Sequence, residues 1–147
     1  METLWQMEAN IDDMNPQHLE YVFSRLLESG VNDVWAVPML MKKGRLAVML
    51  GVLCKKALLE EVEAIIFTET TSIGVRHFPV ERKACERFFG EVTVDGERIG
   101  CKICSHNGRV TTISAEYDDC RRAAEKSGKP LKEWQRRAKE EAYKIYG

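Results

Sequence analysis

Three strings in the first half of the chain carry residue types that handle phosphate and hard cations. Asp12 and Asp13 are adjacent carboxylates, the oxygen donors that suit magnesium or manganese. Lys42, Lys43 and Arg45 surround a glycine and offer positive charge to phosphate oxygens. Thr68, Thr70, Thr71 and Ser72 supply neutral donors, and Arg76 adds a guanidinium fork. Strings so far apart in sequence mean something only if the fold gathers them.

The elements that must do the gathering follow from hydrophobic periodicity. Residues 3–11 alternate as a strand, with Trp5, Met7, Ala9 and Ile11 on one face and Leu4 out of step. Asn15 is a good N-cap and Pro16 suits a first helical position. The helix they open runs to about Glu28 on an apolar stripe of Leu19, Val22, Phe23, Leu26 and Leu27, and Gly30 ends it. Val31–Met41 and Leu46–Cys54 are strands joined by a polar, glycine-containing hairpin tip, Lys42-Lys43-Gly44-Arg45. Lys55–Phe67 returns to helical spacing, the hydroxyl-rich Thr68–Ser72 stops it, and Ile73–Val80 is a strand.

The order β-α-β-β-α-β predicts an α+β fold, with a ferredoxin-like sandwich over residues 1–84. Right-handed crossovers put both helices on one face of a four-stranded antiparallel sheet. Following the chain up and down that sandwich brings three loops to one end: Asn10–Asn15, Met41–Arg45 and Thr68–Arg76. The first helix also starts there, and its free N–H groups and dipole favour an anion. Each feature has a plainer use as well. Paired aspartates before a helix compensate its dipole, and a lysine-rich hairpin tip is a solvated turn that discourages edge pairing.

Residues 85–147 change character. Arg87–Val94, Arg98–Ser105 and Arg109–Ala115 are short strands joined at Asp95-Gly96 and Asn107-Gly108, dipeptides suited to type I′ turns. Helices follow over Tyr117–Lys126 and Leu131–Ile145, and this β-meander with its C-terminal helices is expected to dock on the first unit. Cys101, Cys104 and His106 resemble a zinc half-site, but no second Cys-x-x-Cys exists and strand alternation turns Cys101 away from the other two.

Composition excludes several classes. With 44% hydrophobic and 31% charged residues and a net charge of −1, the 147-residue chain has no basic excess for nucleic acid or an anionic membrane. Its apolar runs stop short of the ~18 residues that a membrane helix needs. Five cysteines, an odd number, without a signal-like N-terminus point to reduced thiols in a cytoplasmic protein. RNA binding on the sheet would require exposed aromatics and a basic surface; strand alternation directs Trp5 and Trp35 to core packing instead.

Five strings in order, Glu8–Pro16, Met41–Arg45, Ile66–Arg76, Ala115–Arg121 and Pro130–Glu133, resemble the C-terminal part of the LarC family. These are nickel-insertion proteins for the nickel-pincer nucleotide cofactor of lactate racemase. The resemblance implies a CTP-dependent cyclometallase, a lyase that installs Ni2+ in pyridinium-3,5-bisthiocarboxylic acid mononucleotide, with Mn2+ or Mg2+ accompanying CTP. Where the strings meet the physical argument, it implies Asp12 and Asp13 for the cation, and Lys42, Lys43, Arg45, Thr70, Thr71 and Arg76 for the nucleotide. The histidine-rich tract of complete members is not matched, so nickel insertion is expected to need the N-terminal part of the family protein. A homo-oligomer is expected, because small domains with edge strands associate readily. The competing reading is a non-catalytic ferredoxin-like regulatory or oligomerisation module, in which the loop charges only solvate.

Overall fold

A computed structural model describes residues 2–147. The chain divides into two compact units, Met1–Lys83 and Ala84–Gly147.

The first unit runs β1 (Glu2–Ile11), α1 (Leu19–Glu28), β2 (Asp33–Met41), β3 (Arg45–Cys54), α2 (Leu59–Glu69) and β4 (Arg76–Arg82). Its four strands pair in the order β2-β3-β1-β4, every neighbour antiparallel, which is the ferredoxin-like arrangement. Each edge strand carries a proline, Pro38 in β2 and Pro79 in β4, where a missing N–H blunts pairing with another chain. Both helices begin with a short 3-10 turn, and Asn15 caps the first by accepting a 3.0 Å hydrogen bond from the Gln17 N–H.

The core of this unit explains its layering. Met7, Ala9 and Ile11 of β1 share a face with Leu50, Val52 and Cys54 of β3, and Val22, Leu26, Val62, Ile65 and Ile66 descend on them from the helices. Burial of such side chains contributes roughly 1.5–3 kcal/mol each before chain entropy is counted. Two expected stripe members sit elsewhere. Leu27 is 55% exposed on the outer side of α1, while Leu4, out of step, is fully buried and Trp5 only half so. Trp5 instead stacks tilted on His77 and lies under the Lys56 ammonium.

The opposite face of the sheet has no helix of this unit upon it. Trp35 sits there opposite Gly51, and a Cβ at position 51 would clash with its indole ring. Glycine at 51 is therefore a packing requirement.

The second unit is a meander, β5 (Glu86–Val94), β6 (Glu97–His106) and β7 (Arg109–Ala115), followed by α3 (Tyr117–Ser127) and α4 (Leu131–Tyr146). Asp95-Gly96 and Asn107-Gly108 have φ of 49° and 79°, and of 49° and 74°, the positive pairs of type I′ turns. Val92, Val94, Ile99, Ile103 and Ile113 form one wall of its core, closed by Cys120, Ala123, Trp134, Ala138 and Ala142 from the helices. Asp95 stitches the first turn to α4 by a two-pronged ion pair with Arg137, at 2.5 and 2.9 Å, joined by Lys129. These guanidinium and ammonium partners hold its carboxyl down at about 2.

Among the described residues, no helix is long and apolar enough to cross a membrane.

Candidate functional site at the loop end of the first unit

Strand register is what assembles this end. Ile11 pairs with Val48 at the end of the β1–β3 ladder, which brings Asp12, the next residue, to the start of β3 where Arg45 lies. Arg45 Nη1 donates to Asp12 Oδ2 at 3.2 Å. Asp13, one residue on, leaves in the other direction and accepts a 2.6 Å hydrogen bond from the Thr71 hydroxyl, 58 residues later in the chain. The β1–α1 segment is thus joined to the β2–β3 hairpin by one carboxylate and to the α2–β4 loop by the next.

Arg76 belongs to the same end through a different set of contacts. It lies opposite Glu8 on β4, and Asn10 lies opposite Met49 on β3. Its Nε donates to Glu8 Oε1 at 2.9 Å, while Nη2 reaches Asn10 Oδ1 at 3.2 Å and the Met49 sulfur at 3.4 Å. Glu8 is 12% exposed, and its second oxygen accepts from Gln6 at 3.1 Å. Glu8 and Asn10 were absent from the set suggested by sequence. The signal for them is the period of two, since Glu8, Asn10 and Asp12 form the polar row that alternates with Met7, Ala9 and Ile11.

The remaining expected residues divide. Lys42 and Lys43 are exposed on the hairpin tip, where Lys43 takes up φ of 64° and Gly44 φ of 69°. Thr68 lies inside α2, which extends to Glu69, and its hydroxyl donates back to Ala64 O. Thr70 donates to Ile66 O at 2.6 Å and accepts from the Ser72 N–H at 3.1 Å, shaping the turn that ends the helix. Ser72 donates to Gly74 O. Of these hydroxyls, that of Thr71 alone is engaged with another loop, because the others find helix or turn carbonyls close by.

Two hollows flank the cluster. One, of about 160 Å³, is mostly apolar and is bounded by Met14, Pro16, Leu19 and Leu46 with Asp12. The other, of about 370 Å³, lies among Glu8, Asn10, Arg76 and the Ser72–Val75 loop. Among the described residues no three His, Cys, Asp or Glu side chains are arranged to hold a metal. Asp12 and Asp13 by themselves do not make such a set, and a cation held there would complete its shell with water or ligand oxygens, as magnesium commonly does at a phosphate.

The cysteine cluster of the second unit is a poor metal site. Cys101 is buried, and burial followed by the proximity of Cys120, Glu116 and Asp119 pushes its thiol up, away from the thiolate that a metal needs. Cys104 is half-buried and His106 exposed, and β7 bulges opposite them.

Comparison with known proteins adds a consistent picture. The model of a family described as nickel insertion protein matches residues 1–135. A putative nickel insertion protein of Pelobacter propionicus is 43% identical over 126 residues, covering 86% of this chain and 32% of that protein. A pyridinium-3,5-bisthiocarboxylic acid mononucleotide nickel insertion protein of Desulfitobacterium hafniense is 41% identical over 138 residues, 92% of this chain and 34% of that one. The chain thus spans about a third of the length of the curated relatives it matches. Among solved structures, the apo C-terminal domain of a cyclometallase involved in synthesis of the NPN cofactor of lactate racemase superposes with a TM-score of 0.83. It shows 30% identity and coverage of 92% of this chain and 93% of that one. Protein MK0293 of Methanopyrus kandleri gives a TM-score of 0.71 at 28% identity, covering 94% and 87%.

Proposed function

The chain belongs to the nickel insertion protein family, and we propose that its first unit binds CTP together with Mn2+ or Mg2+. It does so on behalf of an enzyme that installs Ni2+ in the pincer nucleotide cofactor of lactate racemase. Asp12 and Asp13 supply hard oxygens to the cation. Lys42, Lys43, Arg45 and Arg76 neutralise the triphosphate, with Thr71 as a neutral donor and Thr70 shaping the loop that presents it. Nickel is cargo in this scheme. Its insertion, a cyclometallase (lyase) reaction, belongs to this chain acting with the N-terminal part of the family protein in the cytoplasm.

The observation that carries the reading is the meeting of Arg45 with Asp12 and of Thr71 with Asp13, residues from three separate loops, beside the Arg76 fork. Calorimetric titration tests it. CTP with Mn2+ is expected to bind, and to bind more tightly than ATP or GTP with the same cation. A folded protein that takes up no CTP in the presence of Mn2+ would overturn the proposal.

A second reading rests on the helix-free face of the sheet, where Val37 is 42% and Phe78 40% exposed. Apolar surface of that kind supports a homo-oligomer, and association without nucleotide binding would make the unit an assembly module. Light scattering separates the two: an oligomer whose mass and stability ignore every nucleotide favours the second.

A further inference from the structure

Two arginines serve the candidate site, and they are held in unlike ways. The Arg76 guanidinium has three partners, Glu8, Asn10 and Met49, and the carboxylate that receives it is largely covered and itself fixed by Gln6. Among the described residues Arg45 has a single hydrogen bond, at 3.2 Å to Asp12; its side chain, 51% exposed, is as open as that of Arg76 at 50%, so the two differ in the number of partners that hold them. A single-contact pair with a half-exposed guanidinium is weak, because water screens the attraction and two side chains lose freedom to form it. Arg76 is held by three partners and Arg45 by one.

We propose that Asp12 is an internal competitor for Arg45, and that a divalent cation licenses polyphosphate binding by taking Asp12 away from it. The inference rests on the reading of this end as a metal–CTP site and specifies how that site is regulated. Without a cation, a polyphosphate that approaches Arg45 meets the Asp12 carboxylate already hydrogen-bonded to the same guanidinium. It must break that pair and then tolerate a like charge a few ångströms away. With a cation on Asp12 the negative charge is neutralised, and one weak ion pair is replaced by two stronger contacts, carboxylate to metal and guanidinium to phosphate. No covalent bond forms or breaks in the exchange.

Cation and polyphosphate must then raise each other's affinity by the same factor, since linkage is reciprocal, and couplings of this type run from about 5-fold to 150-fold. Glu8 has the opposite role. It positions Arg76 and takes no part in the exchange.

The test uses the whole chain, with inorganic triphosphate and CTP as probes, titrated calorimetrically with and without Mn2+. The Mn2+ affinity is followed separately by electron paramagnetic resonance. In the parent protein, triphosphate is expected to tighten Mn2+ binding by the factor by which Mn2+ tightens triphosphate binding. Asp12→Asn releases Arg45, so metal-free triphosphate should bind about tenfold more tightly, in the range of such couplings, and the enhancement by Mn2+ should shrink towards none. The gain should vanish in Asp12→Asn/Arg45→Gln. Glu8→Gln should weaken triphosphate with and without Mn2+ alike. If the parent binds Mn2+–CTP while Asp12→Asn, folded by circular dichroism, gains no metal-free affinity, Asp12 is a simple ligand and the exchange is wrong. If the parent binds no Mn2+–CTP at all, the functional reading falls with it.

Discussion

Thr71 donates a 2.6 Å hydrogen bond to Asp13, bridging 58 residues of chain, while the neighbouring Asp12 turns to Arg45. Both carboxylates lie in the bend that follows β1, where the first meets the hairpin and the second the loop after α2. The pair Asp12-Asp13 is therefore two devices. One faces the basic hairpin, and the other ties the first loop to the loop after α2.

That tie makes the first prediction. Thr71→Val keeps the shape of the side chain and removes the donor. Because the group is exposed, stability should change by no more than about 1 kcal/mol, the worth of a typical hydrogen bond. Amide exchange over residues 70–75 should quicken, and Mn2+–CTP affinity should fall several-fold in calorimetry. Unchanged affinity would remove Thr71 from the site.

Gly51 tests the packing on the helix-free face of the sheet. A methyl group there would collide with the Trp35 ring, so Gly51→Ala should destabilise the first unit by about 1–3 kcal/mol, the usual cost of overpacking. Adding Trp35→Phe should recover part of the loss. Urea unfolding followed by far-ultraviolet circular dichroism measures both.

The acid limb of stability should be set in part by Asp95. Its carboxyl is held at about 2, below the ordinary 3.8, chiefly by the hydrogen bond from Arg137. A depressed carboxyl contributes stability that is fully present above its unfolded value and is lost as pH falls through the folded one. The loss should therefore run from about pH 4 down to about pH 2. Asp95→Asn should lower stability at neutral pH and flatten this dependence, read from thermal unfolding across that window. An unchanged acid limb would show that the exposed pair is fully screened.

Thiol labelling should report the five cysteines in two classes. Cys85 is exposed and Cys104 half-buried, whereas Cys54, Cys101 and Cys120 are buried with their thiols pushed up by burial. At pH 8 an aromatic disulfide reagent should modify Cys85 first and Cys104 more slowly. The other three should react only after unfolding. Rapid reaction of Cys101 in the native protein would contradict its placement in the core.

Much of the architecture was legible because it depends on local regularities. The alternation of Met7, Ala9 and Ile11, the helical spacing of Val22 and Leu26, the Asn15-Pro16 start and the Asp95-Gly96 and Asn107-Gly108 turns each name an element by its own periodicity or backbone needs. Handedness and strand direction then bring the three loops to one end without any knowledge of side-chain contacts. Neighbours override local pattern at three residues. Leu4 is buried although out of step, Leu27 is exposed although in step, and Thr68 stays helical because its hydroxyl can bond back to Ala64 O.

The amino-acid sequence by itself determined which loops share one end of the first unit, since topology is a consequence of element order and the hand of the connections. The tertiary structure alone decided how they are paired: Arg45 with Asp12 by one exposed contact, Arg76 with Glu8 by a fixed network, and Thr71 rather than Thr70 with Asp13. Those choices depend on cross-strand register and on the distance between side chains from different elements. No periodicity within one segment encodes either quantity.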